Sequence, residues 1–149
     1  IRASLRMRPD RILIGEIRGS EAIDLLQALN TGHDGSISTG HANSPVDMLS
    51  RLETMVLMGM EIPIQAVRRQ IASGIDIMVH LGRLRDRSRR VLEILEILGY
   101  DSSTGEISTR SLFQFREQGV DSWGNIQGSL VRTAELSSVQ KLQRAGYGP

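Results

Sequence analysis

Three groups of residues in this chain have the types and spacing that could do chemistry. The first is Glu16, which closes the apolar run Arg11-Ile-Leu-Ile-Gly-Glu-Ile17. A carboxylate at the end of a buried strand is costly to leave unpaired, and the carboxyl ends of strands are where open α/β sheets place ligands. An ion pair with Arg18 or Arg8 is the structural alternative. The second is the segment Thr31 to His41, in which Thr-Gly-His occurs twice, eight residues apart, ending at His33 and His41. Glycines let a backbone approach a ligand closely, and a histidine there can donate to a phosphate. Two other readings fit the same residues. Each His could cap a turn, or His33 and His41 could bind a metal with Glu16 or Asp34, although the spacing matches no common metal-site pattern. The third group is arginine: Arg2, Arg6, Arg8 and Arg11 precede the apolar run, and five Arg lie between positions 83 and 90. His80 stands alone and reads as an ordinary strand residue.

These groups need elements to position them. The run 11–17 is short, β-branched and flanked by Pro and Gly, which predicts a buried strand. Ser20 as N-cap, acids at 21 and 24, and the face Ala22, Leu25, Leu26, Leu29 predict a helix stopped by Gly32. Residues 36–39 predict a second short strand. Ser44-Pro45-Val46-Asp47 is a capped helix start with a stripe of Val46, Leu49, Leu52 and Val56, ended by Gly59. A third helix begins at Pro63, with Ile64, Val67 and Ile71 on one face and Gly74 at its end. Then Ile75, Ile77, Val79 and Leu81 alternate with polar residues and predict a strand with its wetter face on Asp76, Met78 and His80. Residues 91–98 read as another strand, joined to it by a polar hairpin loop at 83–90. Beyond Tyr100 periodicity fades, leaving an edge strand at 112–115 and a short terminal helix at 136–142. Strand, helix, strand, two helices and further strands make an α/β pattern, here expected as a mostly parallel sheet with antiparallel edge strands.

Composition narrows the classes. The 149 residues carry a net charge of +1, 40% hydrophobic residues and no cysteine. A disulfide scaffold and thiolate chemistry are excluded, and no stretch approaches the roughly 20 apolar residues of a transmembrane helix. Near-neutral charge and only five aromatics argue against a nucleic-acid platform, so no nucleic-acid partner is expected. Of the 18 basic residues 17 are Arg, a bias that suits forked contacts to phosphate or carboxylate and equally follows from GC-rich coding. The chain opens Ile1-Arg2-Ala3, with neither an initiator Met nor a secretory leader, and is expected to be the later part of a longer polypeptide.

Taken in order, the run Leu5-Arg-Met-Arg-Pro-Asp-Arg-Ile-Leu-Ile-Gly-Glu-Ile-Arg-Gly19 resembles the Walker B region of the type II/type IV secretion-system ATPases. Residues 31–41 with the following Ala-Asn-Ser-Pro resemble the family's His box, nearest the Flp/Tad-type pilus-assembly branch. The resemblance covers about residues 1–118 as the C-terminal part of an ATPase domain, with 119–149 an irregular tail. It implies a RecA-like fold, a homo-hexameric ring, and ATP hydrolysis with Mg²⁺ coupled to protein or pilin transport. Work would be done against inner-membrane platform proteins, from the cytoplasm and peripheral to that membrane. By position, Glu16 would polarise the attacking water and support Mg²⁺ through its hydration shell. His41, and with it His33, would contact the γ-phosphate, Arg18 would hold the loop beside Glu16, and Arg6 would serve a site across a subunit boundary. No G-x-x-x-x-G-K-[ST] occurs in these residues, and Lys141 has no glycine-rich loop around it. The Walker A loop is therefore expected upstream, and this stretch alone is expected to be inactive. The rival reading is a non-catalytic module that docks on ring subunits or acidic partners through Arg83–Arg90.

Overall fold

The computed structural model describes residues 1–144 and 146–147, and the side chains of Arg2 and Lys141 lie outside what is described. The chain forms two compact units, Ile1–Asp76 with Gly99–Ser108, and Ile77–Leu98 with Thr109–Pro149.

In the first unit, α1 (Arg2–Leu5) leads to β1 (Leu13–Ile14), α2 (Ala22–Leu29), β2 (Ile37–Ser38), α3 (Pro45–Leu57) and α4 (Ile64–Gly74). β1 and β2 pair in parallel with Leu13 opposite Ile37 and Ile14 opposite Ser38. The ladder is prolonged by Ile37 N–H donating to Ile12 O and Ile17 N–H donating to Thr39 O, both at 3.0 Å. The expected strand over 11–17 is thus only two residues of regular pairing. Ile12 and Ile17 are buried while Leu13 is 76% exposed, because a two-stranded sheet covers one face only. Helices α2, α3 and α4 pack against one another and supply most of the unit's core: Leu25, Leu26, Leu52, Val56, Val67 and Ile71. Each such side chain contributes about 1.5–3 kcal/mol when fully buried.

The helix starts differ in how they are made. Ser44 caps α3 as expected, its Oγ accepting from Asp47 N–H at 3.0 Å with Pro45 in the first turn. Val46 of the expected stripe is exposed, and Met55 takes a buried place beside Leu52 and Val56. At α2 the expected Ser20 cap is absent. Glu21 holds the N-cap position, and its carboxylate accepts from the N–H groups of Arg18 (2.7 Å) and Gly19 (3.1 Å). Gly32, at φ +89°, turns the chain after α2 in a conformation that disfavours other residues. Arg68 on α4 donates to Glu53 of α3, to the Gly105 carbonyl and to Glu106, each at 2.8 Å. Its neighbour Arg69 lies 5.0 Å from the Tyr100 ring centroid.

In the second unit, β3 (Ile77–Arg83), β4 (Arg89–Asp101), β5 (Glu106–Val120) and β6 (Ile126–Arg132) neighbour one another in chain order, followed by α5 (Gln140–Arg144). β3 pairs antiparallel with β4, and β5 with β6. This corrects the expected mostly parallel sheet with antiparallel edge strands. Among the described residues parallel pairing is confined to β1–β2, and the antiparallel strands form a sheet of their own. Consecutive strands joined by short turns pair with each other. Residues 112–115 lie within the 15-residue β5, between two neighbours, not on an edge. The tail expected to be irregular contains β6. Its sequence Ile-Gln-Gly-Ser-Leu-Val-Arg has no clean alternation, and its pairing with β5 makes it a strand. The faces of β3 are also reversed from expectation. Ile77, Val79 and Leu81 are exposed, while Met78 and His80 are half-buried. Register decides this: Met78 stands opposite Leu95, which is buried, so the even-numbered residues share the core face.

Candidate functional site

Parallel pairing of β1 and β2 puts both carboxyl ends on one side, although the sequences that follow are 25 residues apart. Glu16 comes two residues after β1 and His41 three after β2. There the Glu16 carboxylate is held from two directions: Arg18 Nη2 lies 2.6 Å from Oε1, and His41 Nε2 lies 3.1 Å from Oε2. The Thr39 hydroxyl donates to the Gly15 carbonyl and ties the two exits together. A Cβ at Gly40 would meet the end of the Met48 side chain, which would have to shift aside. Glu21 fixes the start of the Arg18 loop by accepting from the N–H groups of Arg18 and Gly19.

The cluster is open to solvent. Glu16 is 35% exposed as a side chain, Arg18 73% and His41 74%. The Arg18 hydrogen bond holds the Glu16 carboxyl below the ordinary range, and the His41 bond adds to this against a partial desolvation. Glu16 in turn raises the Arg18 guanidinium. Exposed pairs of this kind add little to stability. The arrangement therefore presents an ionised carboxylate with a cation and an imidazole beside it, all reachable from water. A set of this kind can orient a water through the carboxylate and pair an incoming anion with the Arg18 guanidinium. An open depression continues from His41 along Ala42, Asn43, Asp47 and Arg51 at the start of α3.

Of the residues singled out in the sequence, Glu16, Arg18 and His41 come together. His33 does not join them. Its Nδ1 bonds the Ala28 carbonyl at 3.2 Å, and its own carbonyl accepts from Ser36 N–H and Oγ. It thus fastens the turn after α2, the capping alternative. Arg6 ends α1, exposed and with no ion pair among the described residues. Among the described residues no group of three or more His, Cys, Asp or Glu could hold a metal ion, so the imidazole–carboxylate metal site finds no support. Sequence reasoning missed Thr39 as a tie between the strands and Glu21 as the anchor of the Arg18 loop. The signal for Glu21 was present, an acid three residues after Arg18, but it reads equally as an ordinary first-turn acid.

Known proteins align with this picture. The family model described as "Type II/IV secretion system protein" matches residues 1–142. The conjugal transfer protein TrbB of Rhizobium radiobacter is 38% identical over 100 residues, covering 67% of this chain and 30% of that protein. The type IV secretion system protein PtlH of Bordetella pertussis is 43% identical over 99 residues, covering 63% and 29%. Among solved structures, the VirB11 ATPase of the Brucella suis type IV secretion system, in complex with sulphate, superposes with a TM-score of 0.59 at 38% identity, covering 62% of this chain and 29% of that one. The chain spans about a quarter to a third of the length of the curated relatives it matches. With the match running from Ile1 through the carboxylate site and both sheets, the chain belongs to the Type II/IV secretion system protein family.

Proposed function

We propose that this chain is the part of a secretion ATPase that bears the water-orienting carboxylate and the phosphate-sensing histidine. The observation that carries the reading is Glu16 held between Arg18 and His41 at the shared carboxyl end of a parallel strand pair. In this reading β1, α2 and β2 belong to a RecA-like, phosphate-loop core. Glu16 orients and partly deprotonates the attacking water. His41 reads the γ-phosphate, and Arg18 steadies Glu16 and offsets charge as the phosphoryl group departs. His33 and Arg6 stay outside the set, the first as a turn fastener, the second as a surface residue suited to a neighbouring subunit.

The donor set suits Mg-ATP at one end. A single carboxylate with both oxygens engaged fits a Mg²⁺ that is held mainly by phosphate and water, with Glu16 acting through the hydration shell. When bound, the metal supplies charge neutralisation at the β- and γ-phosphates. No glycine-rich Lys-Ser/Thr loop occurs in these residues, so the α/β-phosphate cradle is supplied by the rest of the polypeptide. The stretch alone binds Mg-ATP weakly and does not turn it over. The working protein is a ring, most simply a homo-hexamer, that moves protein or pilin substrates against platform proteins of the inner membrane from its cytoplasmic side.

The test is Glu16→Gln in the polypeptide that includes the phosphate loop. Steady-state hydrolysis should fall about a hundredfold, the typical contribution of a positioned base, while nucleotide affinity by calorimetry stays within a few-fold. Turnover near that of the unaltered protein would remove Glu16 from the mechanism.

A further inference from the structure

A charge run is usually a solvated loop, but the turn joining β3 to β4 is braced at every level. Leu84 N–H donates to Ser88 O at 2.8 Å and Arg87 N–H to Leu84 O at 2.9 Å. One Asp86 oxygen accepts from Ser88 N–H and Oγ at 2.9 and 2.7 Å, and the other accepts at 2.7 Å from the N–H of Ile126, a fully buried residue at the start of β6. Arg85 makes a forked contact with Glu117 on β5. The loop thus spends its one acid and one of its arginines on holding its own shape. What remains faces outward. Arg83, Arg87, Arg89 and Arg90 are exposed, and Arg83, Arg87 and Arg89 have no ion pair among the described residues. Arg83 and Arg89 are direct cross-strand partners, so two cations project from one face with Cβ atoms about 4.5–5.5 Å apart. Like charges so placed repel, and a bound anion relieves the repulsion. Residues 77–92 hold five Arg against one Asp in a chain whose net charge is +1, which concentrates the basic surface here.

We infer that this hairpin is a preorganised docking element for a carboxylate-rich segment of a protein partner. The inference stands apart from the ATPase reading and does not use Glu16. Carboxylate is the favoured chemistry because Arg85 of the same loop already takes Glu117 in a forked contact. Within the turn itself Leu84 is half-buried, whereas Leu81, on the same face of β3 as Arg83, is exposed, so a lipid surface is the competing occupant that the vesicle arm below tests directly.

The experiment uses the full 149-residue chain and fluorescein-labelled poly-L-glutamate of about 20 residues, followed by anisotropy at two salt concentrations. The Arg83→Glu/Arg89→Glu double variant should lose at least tenfold in affinity. Arg83→Gln/Arg89→Gln should lose less but clearly, and Arg144→Glu, an equal charge change on α5, less than twofold. Asp86→Ala provides the decisive arm, read alongside circular dichroism to confirm folding. It makes the chain more positive yet should bind more weakly, because the brace is gone. Tighter binding by Asp86→Ala would overturn preorganisation in favour of bulk charge. Unchanged binding by the double variants would overturn the site. Sedimentation with phosphatidylglycerol vesicles that excess poly-L-glutamate fails to compete would assign the hairpin to membrane instead.

Discussion

Glu16 and Glu96 are both glutamates of strand-forming segments, and they are held in opposite ways. Glu16 is partly exposed, and its partners are two side chains, Arg18 and His41, that are themselves mostly in solvent. Glu96, on β4, is 1% exposed. It accepts from Ser137 N–H and Oγ and from Ser138 N–H at 2.9–3.2 Å. Burial pushes the Glu96 carboxyl up, but the Ser138 N–H and the Ser137 hydroxyl and N–H outweigh it and hold it below the ordinary range. Backbone donors cannot move away without unfolding the segment that carries them, whereas exposed side chains can exchange partners for a ligand. The first arrangement fixes a segment of backbone and the second leaves the carboxylate open to a ligand, although both acids are ionised at neutral pH.

The contrast can be broken by experiment, the largest effect first. Glu96→Gln should cost about 1–3 kcal/mol, the worth of hydrogen bonds to a buried charge, read as a lower denaturation midpoint. Hydrogen exchange should rise at residues 133–139. An unaltered midpoint would make Glu96 as dispensable as a surface acid. Next comes acid sensitivity at Asp86, pulled down to about 2 by the Ile126 N–H and the Ser88 hydroxyl. The sign follows from the lowered value. Its contribution is complete above the ordinary aspartate value of about 3.9 and is lost as pH falls toward 2. Asp86→Asn should therefore flatten the acid limb of a stability–pH profile in that window. Smallest of all, Glu16→Gln should leave the melting temperature within about 2 °C, even where it slows turnover about a hundredfold. A large stability loss at Glu16 would erase the distinction drawn between the two acids.

How much of this was legible in the sequence follows the range of the interactions. Ser44-Pro45-Val46-Asp47 declared its helix because a cap is a local event. The ion pair of Glu16 with Arg18 could be expected from their spacing of two residues, whereas the contact of Glu16 with His41, 25 residues away, depends on the parallel pairing of β1 and β2. The extra strand β6 was hidden because its side chains carry no period and its partner determines it. The face of β3 was misread because both sets of alternate residues contain apolar members, and only pairing with Leu95 chooses between them. The brace at Asp86 was out of reach altogether, since its acceptor role depends on an N–H forty residues away.

One feature of the fold bears on the timing of synthesis. The first unit is completed by Gly99–Ser108, which follows a stretch belonging to the second, and Arg68 finds Gly105 and Glu106 there. As the chain leaves the ribosome, α4 must wait for the roughly thirty residues between Asp76 and Ser108, about 2–6 s at ordinary elongation rates. During that interval Arg68 has only Glu53 to hold. The two units are therefore interleaved along the chain, and no single cut in the sequence separates one from the other.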